Sequence, residues 1–451
     1  MKKSNTFLSG SVTRQLLSMT FASWVAMVAG MLLSLVDTYF LSRLNDVHVL
    51  SAMGFASSIG LFMSAIGIGL SVATSVLVSQ KLTRSGEHAA HQLFTSIVLM
   101  GLLIGLLVMS VLLLGLPFIL SILGAKGASF DNATSYLQLT LLVSPLGVLA
   151  MIFASGLRAA AMAKASMWIS LIATIVNIIL CPIFIEWFEW GIEGAAWATI
   201  VARYISFGIG IWYFGYRLRW FKSIDLIFVK QEFSGVRRIT MPVLISNWFM
   251  PLGSMIVVWI VAAYGDEAMA GMAIVGSLGP VLFSVFFSIT GAAGPMVGQN
   301  VGANQPARVG QIYRSGLCLI ACYTLIVWVF GMLSYDAIAD MYDVDGIAAG
   351  MIMIYCLVQI PLSMGIGAIA LSNGIFNNLG KPNWSMRLSL ARATMGTLLL
   401  CYVGSELFGL YGALIGSSLT FFVFGLFAVV FANRLFSRTY PNNWLVFSNR
   451  Y

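Results

Sequence analysis

Apolar runs long enough to cross a bilayer recur from one end of the chain to the other, separated by short polar clusters. The clusters delimit twelve candidate helices, at about 14–41, 48–79, 91–123, 133–160, 165–187, 194–217, 237–264, 268–298, 311–334, 347–373, 385–404 and 409–435. A hydrocarbon span takes about 20 apolar residues. Runs of this length and number read as membrane helices rather than as buried helices or strands of a soluble core, because unpaired backbone is too costly in lipid.

Composition agrees. Of 451 residues, 59% are hydrophobic and 9% charged, against roughly 25% charged in a soluble domain. Too little charge remains to coat a water-exposed surface, so a soluble enzyme is excluded. The formal net charge of +8 is spread over short loops. It is not gathered on one face, as nucleic-acid binding would require. Cys181, Cys318, Cys322, Cys356 and Cys401 all fall in apolar segments, so neither a disulfide framework nor a metal cluster is expected. The start, MKKSNTFLSGSVTRQ, has no compact apolar region followed by a small-residue cleavage site. It reads as a short cytoplasmic arm rather than a cleaved signal.

Placement of Lys and Arg sets the expected topology. Lys2, Lys3, Arg14, Lys81–Arg84, Arg158, Lys164, Arg217–Arg238, Arg308, Arg314, Lys381, Arg387 and Arg434–Arg438 alternate onto one side. The other side carries Arg43 and Lys126 and most acids, among them Asp46, Glu186, Glu189, Glu193 and Asp266. The positive-inside rule puts the basic side, with both termini, in the cytoplasm.

The chain also repeats itself. VLVSQKLTRSGEHAAHQLFTS (76–96) aligns with PMVGQNVGANQPARVGQIYRS (295–315), pairing Gln80 with Gln299 and Gln92 with Gln311 at an offset of 219. GIEGAAWATI (191–200) aligns with GLYGALIGSS (409–418) at an offset of 218. Each half holds six candidate spans, so the repeats are parallel, and two packed bundles are the usual result. The expected fold is all-α integral membrane, with twelve transmembrane helices in two six-helix bundles related by pseudo-twofold symmetry. The expected divisions are an N-terminal bundle at 1–216, a cytoplasmic connecting loop at 217–236, a C-terminal bundle at 237–436 and a tail at 437–451. The connection, RLRWFKSIDLIFVKQEF, mixes basic and aromatic residues and suits a segment along the membrane surface.

Asp37, in MLLSLVDTYFLSRL, is the principal candidate for chemistry. An aspartate at mid-helix costs about 2.5–3.5 kcal/mol on insertion scales and usually faces a wet cavity or a partner. Such a carboxyl group can exchange a proton with solvent as its surroundings open and close. The other reading ends the first span near residue 36 and leaves Asp37 among headgroups, with Arg43 and the NDVH turn close behind. At the repeat offset of 219 the matching residue is Ile256, so the fold itself does not require an acid there. Arg203, about nine residues into the sixth span, stands out as the mid-membrane base. It can pair with Asp37, attract an anion, or reach an aqueous cleft or a helix-end carbonyl. His48, His88 and His91 lie near loops and make no ligand set. No HExxH, Walker, GxSxG or CxxC pattern occurs, so nothing supports a hydrolase, an ATPase or a redox enzyme. The 24 Met residues suit a soft cavity lining, though most serve as packing. Gly30, Pro145, Pro182, Pro251 and Pro361 are candidate bending points.

These motifs resemble the multidrug and toxic compound extrusion (MATE) family. The resemblance rests on LVDTYFLSRL, GLRAAAMAKASM, GIEGAAWAT and GPMVGQNVGANQ in order and spacing, and covers about residues 14–435. It implies an antiporter that expels organic, often cationic, compounds in exchange for protons or sodium ions. In the DinF-like branch it implies a coupling site at the positions of Asp37, Tyr136, Asn177 and Thr199. That branch has an aspartate where Cys181 stands, and a glutamine where Gly30 stands. The NorM-like branch uses acids in the seventh and tenth helices. Here those helices read MPVLISNWFMPLGSMIVVWIV and YCLVQIPLSMGIGAIAL, without one.

The combined expectation is a proton-coupled exporter working by alternating access. Asp37 carries the proton with Tyr136, Asn177 and Thr199 around it, and Asn177, Tyr136, Arg203 and Cys181 line the cavity. Sodium coupling is the first alternative. The second is a flippase for lipid-linked glycans, which would need several cationic residues to hold pyrophosphate. The expected partners are small organic compounds, protons or sodium ions and the lipid bilayer. No cofactor, metal, catalytic residue or nucleic acid is called for. The chain is read as a monomer, multi-pass in a bacterial plasma membrane.

Overall fold

The computed structural model describes residues 6–44, 47–441 and 445–446. Lys2, Lys3, Asp46 and most of the tail after 441 lie outside them. All regular elements among the described residues are helical. After a 3-10 turn at Thr6–Leu8, the first half holds α1 (Val12–Ser42), α2 (Val47–Arg84), α3 (Glu87–Ile122), α4 (Ala128–Leu142), α5 (Ser144–Ala159), α6 (Ala163–Pro182) and α7 (Gly191–Ile211). The second half holds α8 (Leu226–Ala262), α9 (Asp266–Gly302), α10 (Pro306–Met341), α11 (Gly346–Ile354), α12 (Ile360–Leu362), α13 (Met364–Asn378), α14 (Pro382–Ala391) and α15 (Thr397–Thr439). Four π-helical turns, Ile183–Trp187, Trp212–Arg217, Tyr355–Gln359 and Arg392–Gly396, join or extend them.

Among the described residues, ten helical stretches are long and apolar enough to span a membrane. The pair α4–α5, bent by 47°, makes an eleventh span. The last stretch runs 58 residues, from Pro382 to Thr439. It is two spans, broken at Phe408 and Gly409, where the helical φ/ψ is lost. Gly409 has φ +60°, a conformation that costs glycine nothing. Twelve spans result, as the hydropathy pattern predicts. Their outer faces are apolar: Leu114 is 86% exposed and Leu333 83%. Such surface suits lipid rather than water.

Proline accounts for two of the irregularities. Pro145 occupies the first turn of α5 and has no N–H to continue α4 past Val143. Pro182 closes α6, and the backbone ladder widens into the π turn at Ile183–Trp187. α1, in contrast, runs unbroken through Gly30.

The repeated GIEGAAWATI/GLYGALIGSS motif serves close packing. A Cβ on Gly194 would lie 2.7 Å from the Phe184 carbonyl carbon. Its counterpart Gly412 meets the backbone of Gly404 in the same way. Small residues let membrane helices approach backbone to backbone.

Two compact units emerge, and they do not divide where the sequence suggests. One contains Ala22–Leu244; the other contains Thr6–Phe21 and the chain from Ile245 onward. The connection expected as a loop at 217–236 is helical again from Leu226, and this opening stretch of α8 belongs to the first unit. There Val236, Ile239, Val243 and Leu244 join the core formed by α2, α3 and α5. Lys81 forms an ion pair with Glu232, and Gly69 packs against the Thr240 backbone.

In the second unit the 3-10 turn is held by the GPMVGQNVGANQ motif and the residues after it. Arg308 donates from Nε to the Phe7 carbonyl at 2.7 Å and from Nη2 to the Ser9 carbonyl at 2.8 Å, and Asn300 Nδ2 donates to Phe7 at 3.2 Å. Hydrogen bonds from a charged donor contribute about 1.5–3 kcal/mol. Arg308→Ala should therefore release Thr6–Ser9, read as faster proteolysis within the first ten residues while cleavage between α7 and α8 stays unchanged.

Candidate functional site

Asp37 lies one turn from the end of α1. It is 4% exposed, and it is enclosed by protein rather than set among headgroups. The bend at Val143 and the π turn after Pro182 shape the elements around it. α4 brings Tyr136, α6 brings Asn177 and Cys181, and α7 brings Thr199 and Arg203. Asn177 and Cys181 are four residues apart and so share one face of α6. Thr199 and Arg203 stand in the same relation on α7.

The carboxyl group has a donor on each oxygen. Cys181 Sγ approaches Oδ1 at 3.5 Å and Thr199 Oγ1 approaches Oδ2 at 3.5 Å. Asn177 Nδ2 in turn donates to Thr199 Oγ1 at 3.5 Å. The two contacts made by Thr199 are long, near the outer limit for a hydrogen bond between nitrogen or oxygen atoms, and the thiol is a weak donor. They surround the group without clamping it. Asn177, Cys181 and Thr199 are themselves buried, and Asn177 Oδ1 has no hydrogen-bond partner. Tyr136, half-buried, lies within electrostatic reach of Asp37, Arg203 and Thr199. Thr174, one turn before Asn177, donates to the Ala29 carbonyl of α1 at 3.1 Å and ties the two helices together beside Gly30.

The structure thus brings Asp37, Tyr136, Asn177, Cys181 and Thr199 into one cluster. Arg203 stands at its edge. Its Nη1 donates to the Thr140 carbonyl at 3.0 Å, near the C-terminus of α4. A helix-end carbonyl is one of the partners considered for it, and no ion pair with Asp37 forms within 4 Å. Pro145 and Pro182 shape the elements on either side of the cluster rather than lining it. Arg43 pairs with Glu186 at 3.0 Å on the exposed side of the first unit. Such a surface pair is worth about 0–1 kcal/mol. No group of three or more His, Cys, Asp or Glu among the described residues could hold a metal ion.

One residue corrects the sequence reading. Arg203 is not alone as a base at membrane depth. Arg392, in the π turn between α14 and α15, is only 8% exposed. Its signal was present as a base inside the expected span 385–404. Arg392 stands five residues after Arg387 of the cytoplasmic charge cluster, which makes it inconspicuous in the sequence.

The MatE family model matches residues 22–183 and 242–403, two stretches that together cover most of both halves. An FAD transporter of Shewanella oneidensis is 26% identical over 447 residues, covering 96% of this chain and 97% of that protein. The multidrug export protein MepA of Staphylococcus aureus is 25% identical over 340 residues, 70% of this chain and 73% of that protein. Among solved structures, the Vibrio cholerae MATE transporter VcmN in its bent form superposes with a TM-score of 0.90 at 22% identity, covering 97% of this chain and 99% of that one.

Proposed function

The chain belongs to the multidrug and toxic compound extrusion (MATE) family and is a multi-pass membrane transporter, not an enzyme; from this we propose that it exports small organic compounds in exchange for protons, with Asp37 as the group that carries the proton. The cargo class is supported by relatives named as a multidrug export protein and an FAD transporter. The coupling role rests on one observation. The single acid of the first half's membrane interior is buried, with a donor on each oxygen and an unpartnered amide oxygen beside it.

The chemistry follows from donors and acceptors. An ionised carboxylate only accepts, so the thiol of Cys181 and the hydroxyl of Thr199 point their protons at it. Once protonated, Asp37 donates instead. Thr199 must then turn its hydroxyl hydrogen to another acceptor, and Asn177 Oδ1 is the free one nearby. A rotation of that amide reverses the Asn177–Thr199–Asp37 chain. Two hydrogen-bond arrangements of one cluster, selected by one proton, are what an alternating-access carrier needs. Coupling requires that each protonation state favour a different conformation.

Sodium is the second reading. The Asp37 carboxylate, Asn177 Oδ1 and Thr199 Oγ1 offer three oxygen ligands to a monovalent cation. Reconstituted protein, with ethidium and FAD tested in parallel as cationic and anionic cargo, separates the two readings. A proton gradient at constant sodium should drive efflux, and a sodium gradient at equal pH should not. Sodium-driven efflux without a pH difference would overturn proton coupling.

A further inference from the structure

The second unit contains a cavity of about 220 Å³ between α8, α9, α13, α15 and two π turns, Tyr355–Gln359 and Arg392–Gly396. Its walls are mostly apolar, with Met272, Phe283 and Leu414 among them, and no Asp or Glu lines it. Arg392 is the charged residue in the lining. Its guanidinium lies over the Phe421 ring at 4.4 Å. No carboxylate lies within 4 Å of it, since the ion pairs among the described residues are Arg43–Glu186 and Lys81–Glu232. The Tyr355 hydroxyl, on the same cavity wall, is buried and has no hydrogen-bond partner. The Gln359 amide nitrogen, in contrast, is engaged by the Leu414 carbonyl at 2.6 Å and by Ser417 Oγ at 3.4 Å.

We propose that this cavity is a binding site for a small aromatic organic anion, a carboxylate or sulfonate on one or two rings, held by Arg392 with the Tyr355 hydroxyl as a second donor. The inference rests on the exporter reading for its purpose and names a class of cargo for it. A buried charge without a counter-charge is unfavourable by several kcal/mol, and an anionic ligand removes that penalty. A guanidinium presents a planar fork that matches a carboxylate or sulfonate. The apolar walls and the Phe421 ring take the aromatic part. Volume sets the size: benzene fits an apolar cavity of about 150 Å³, so 220 Å³ holds one or two rings. The absence of acids in the lining, with a fixed positive charge present, disfavours organic cations. Two π turns meeting at one cavity fit this reading, because such turns recur at functional sites.

The test compares two compounds of nearly equal shape, 2-naphthoate and the neutral 2-naphthamide, for binding to the purified full-length protein in an uncharged detergent. Wild type should bind 2-naphthoate at least ~10-fold more tightly. Arg392→Gln should abolish that preference and Arg392→Lys should keep part of it. Met272→Trp, which fills the cavity without altering its charge, should block both compounds. Equal affinities in wild type, an undiminished preference in Arg392→Gln, or binding that survives Met272→Trp would each overturn the proposal. The wild-type comparison decides even if a variant fails to fold. Binding is read without a gradient, so its loss leaves proton-driven efflux untouched, and failure of coupled efflux leaves the binding result standing.

Discussion

Asp37→Asn should accumulate as folded protein and lose proton-driven exchange. Asparagine keeps the shape of the side chain and an oxygen for Thr199 or Cys181 to approach, so the packing of α1 against α6 and α7 is retained. What it removes is the change between acceptor and donor. Coupling free energies between two ligands are typically about 1–3 kcal/mol, a factor of 5–150. Drug-driven proton movement in vesicles should fall by a factor in that range, and an imposed pH gradient should no longer accelerate efflux. Thermal stability measured alongside should stay at or above the wild-type value, because a buried ionisable group has been replaced by a neutral one. If drug-driven proton movement matches wild type, Asp37 does not carry the proton.

Gly416→Leu should prevent the second half from folding. α15 turns back on itself at Phe408–Gly409, and its two arms meet at glycines. A Cβ on Gly416 would overlap the Leu400 carbonyl and lie 3.0 Å from the Cys401 Cα. Both neighbours are backbone in the middle of a helix, and neither can swing aside. Even Gly416→Ala should destabilise by about 1–3 kcal/mol, the range for overpacking a filled core. Leucine adds three more carbons in the same place. Gly374→Ala is the control, since a Cβ there meets nothing within 4 Å. Size-exclusion profiles of detergent extracts at rising temperature give the readout. A Gly416→Leu protein as monodisperse and heat-resistant as Gly374→Ala would contradict the packing argument.

Much of this architecture was legible in the sequence, for reasons that differ by feature. Span positions follow from the length of apolar runs, which the bilayer imposes without reference to tertiary contacts. The helix ends are less accurate: α8 begins at Leu226, while its apolar stretch begins near 237. Its first turns are amphipathic and find their partners in α2, which hydropathy does not register. The cluster at Asp37 was legible because an acid in an apolar run is conspicuous. The family resemblance points to its neighbours; Asn177 and Thr199 stand in its hydrogen-bond chain, and Tyr136 lies within electrostatic reach. Arg392 is inconspicuous as a membrane base, because a base close to a cytoplasmic cluster looks like part of that cluster. Only the π turn and the surrounding side chains reveal its burial.

The ownership of the two leading helices changes how the duplication is understood. The unit formed mainly by the second half incorporates Thr6–Phe21, and the unit formed mainly by the first incorporates the start of α8. Neither half closes with its own opening segment. Either half expressed alone would lack the segment that completes its unit, the situation of a protomer in a domain-swapped dimer deprived of its partner.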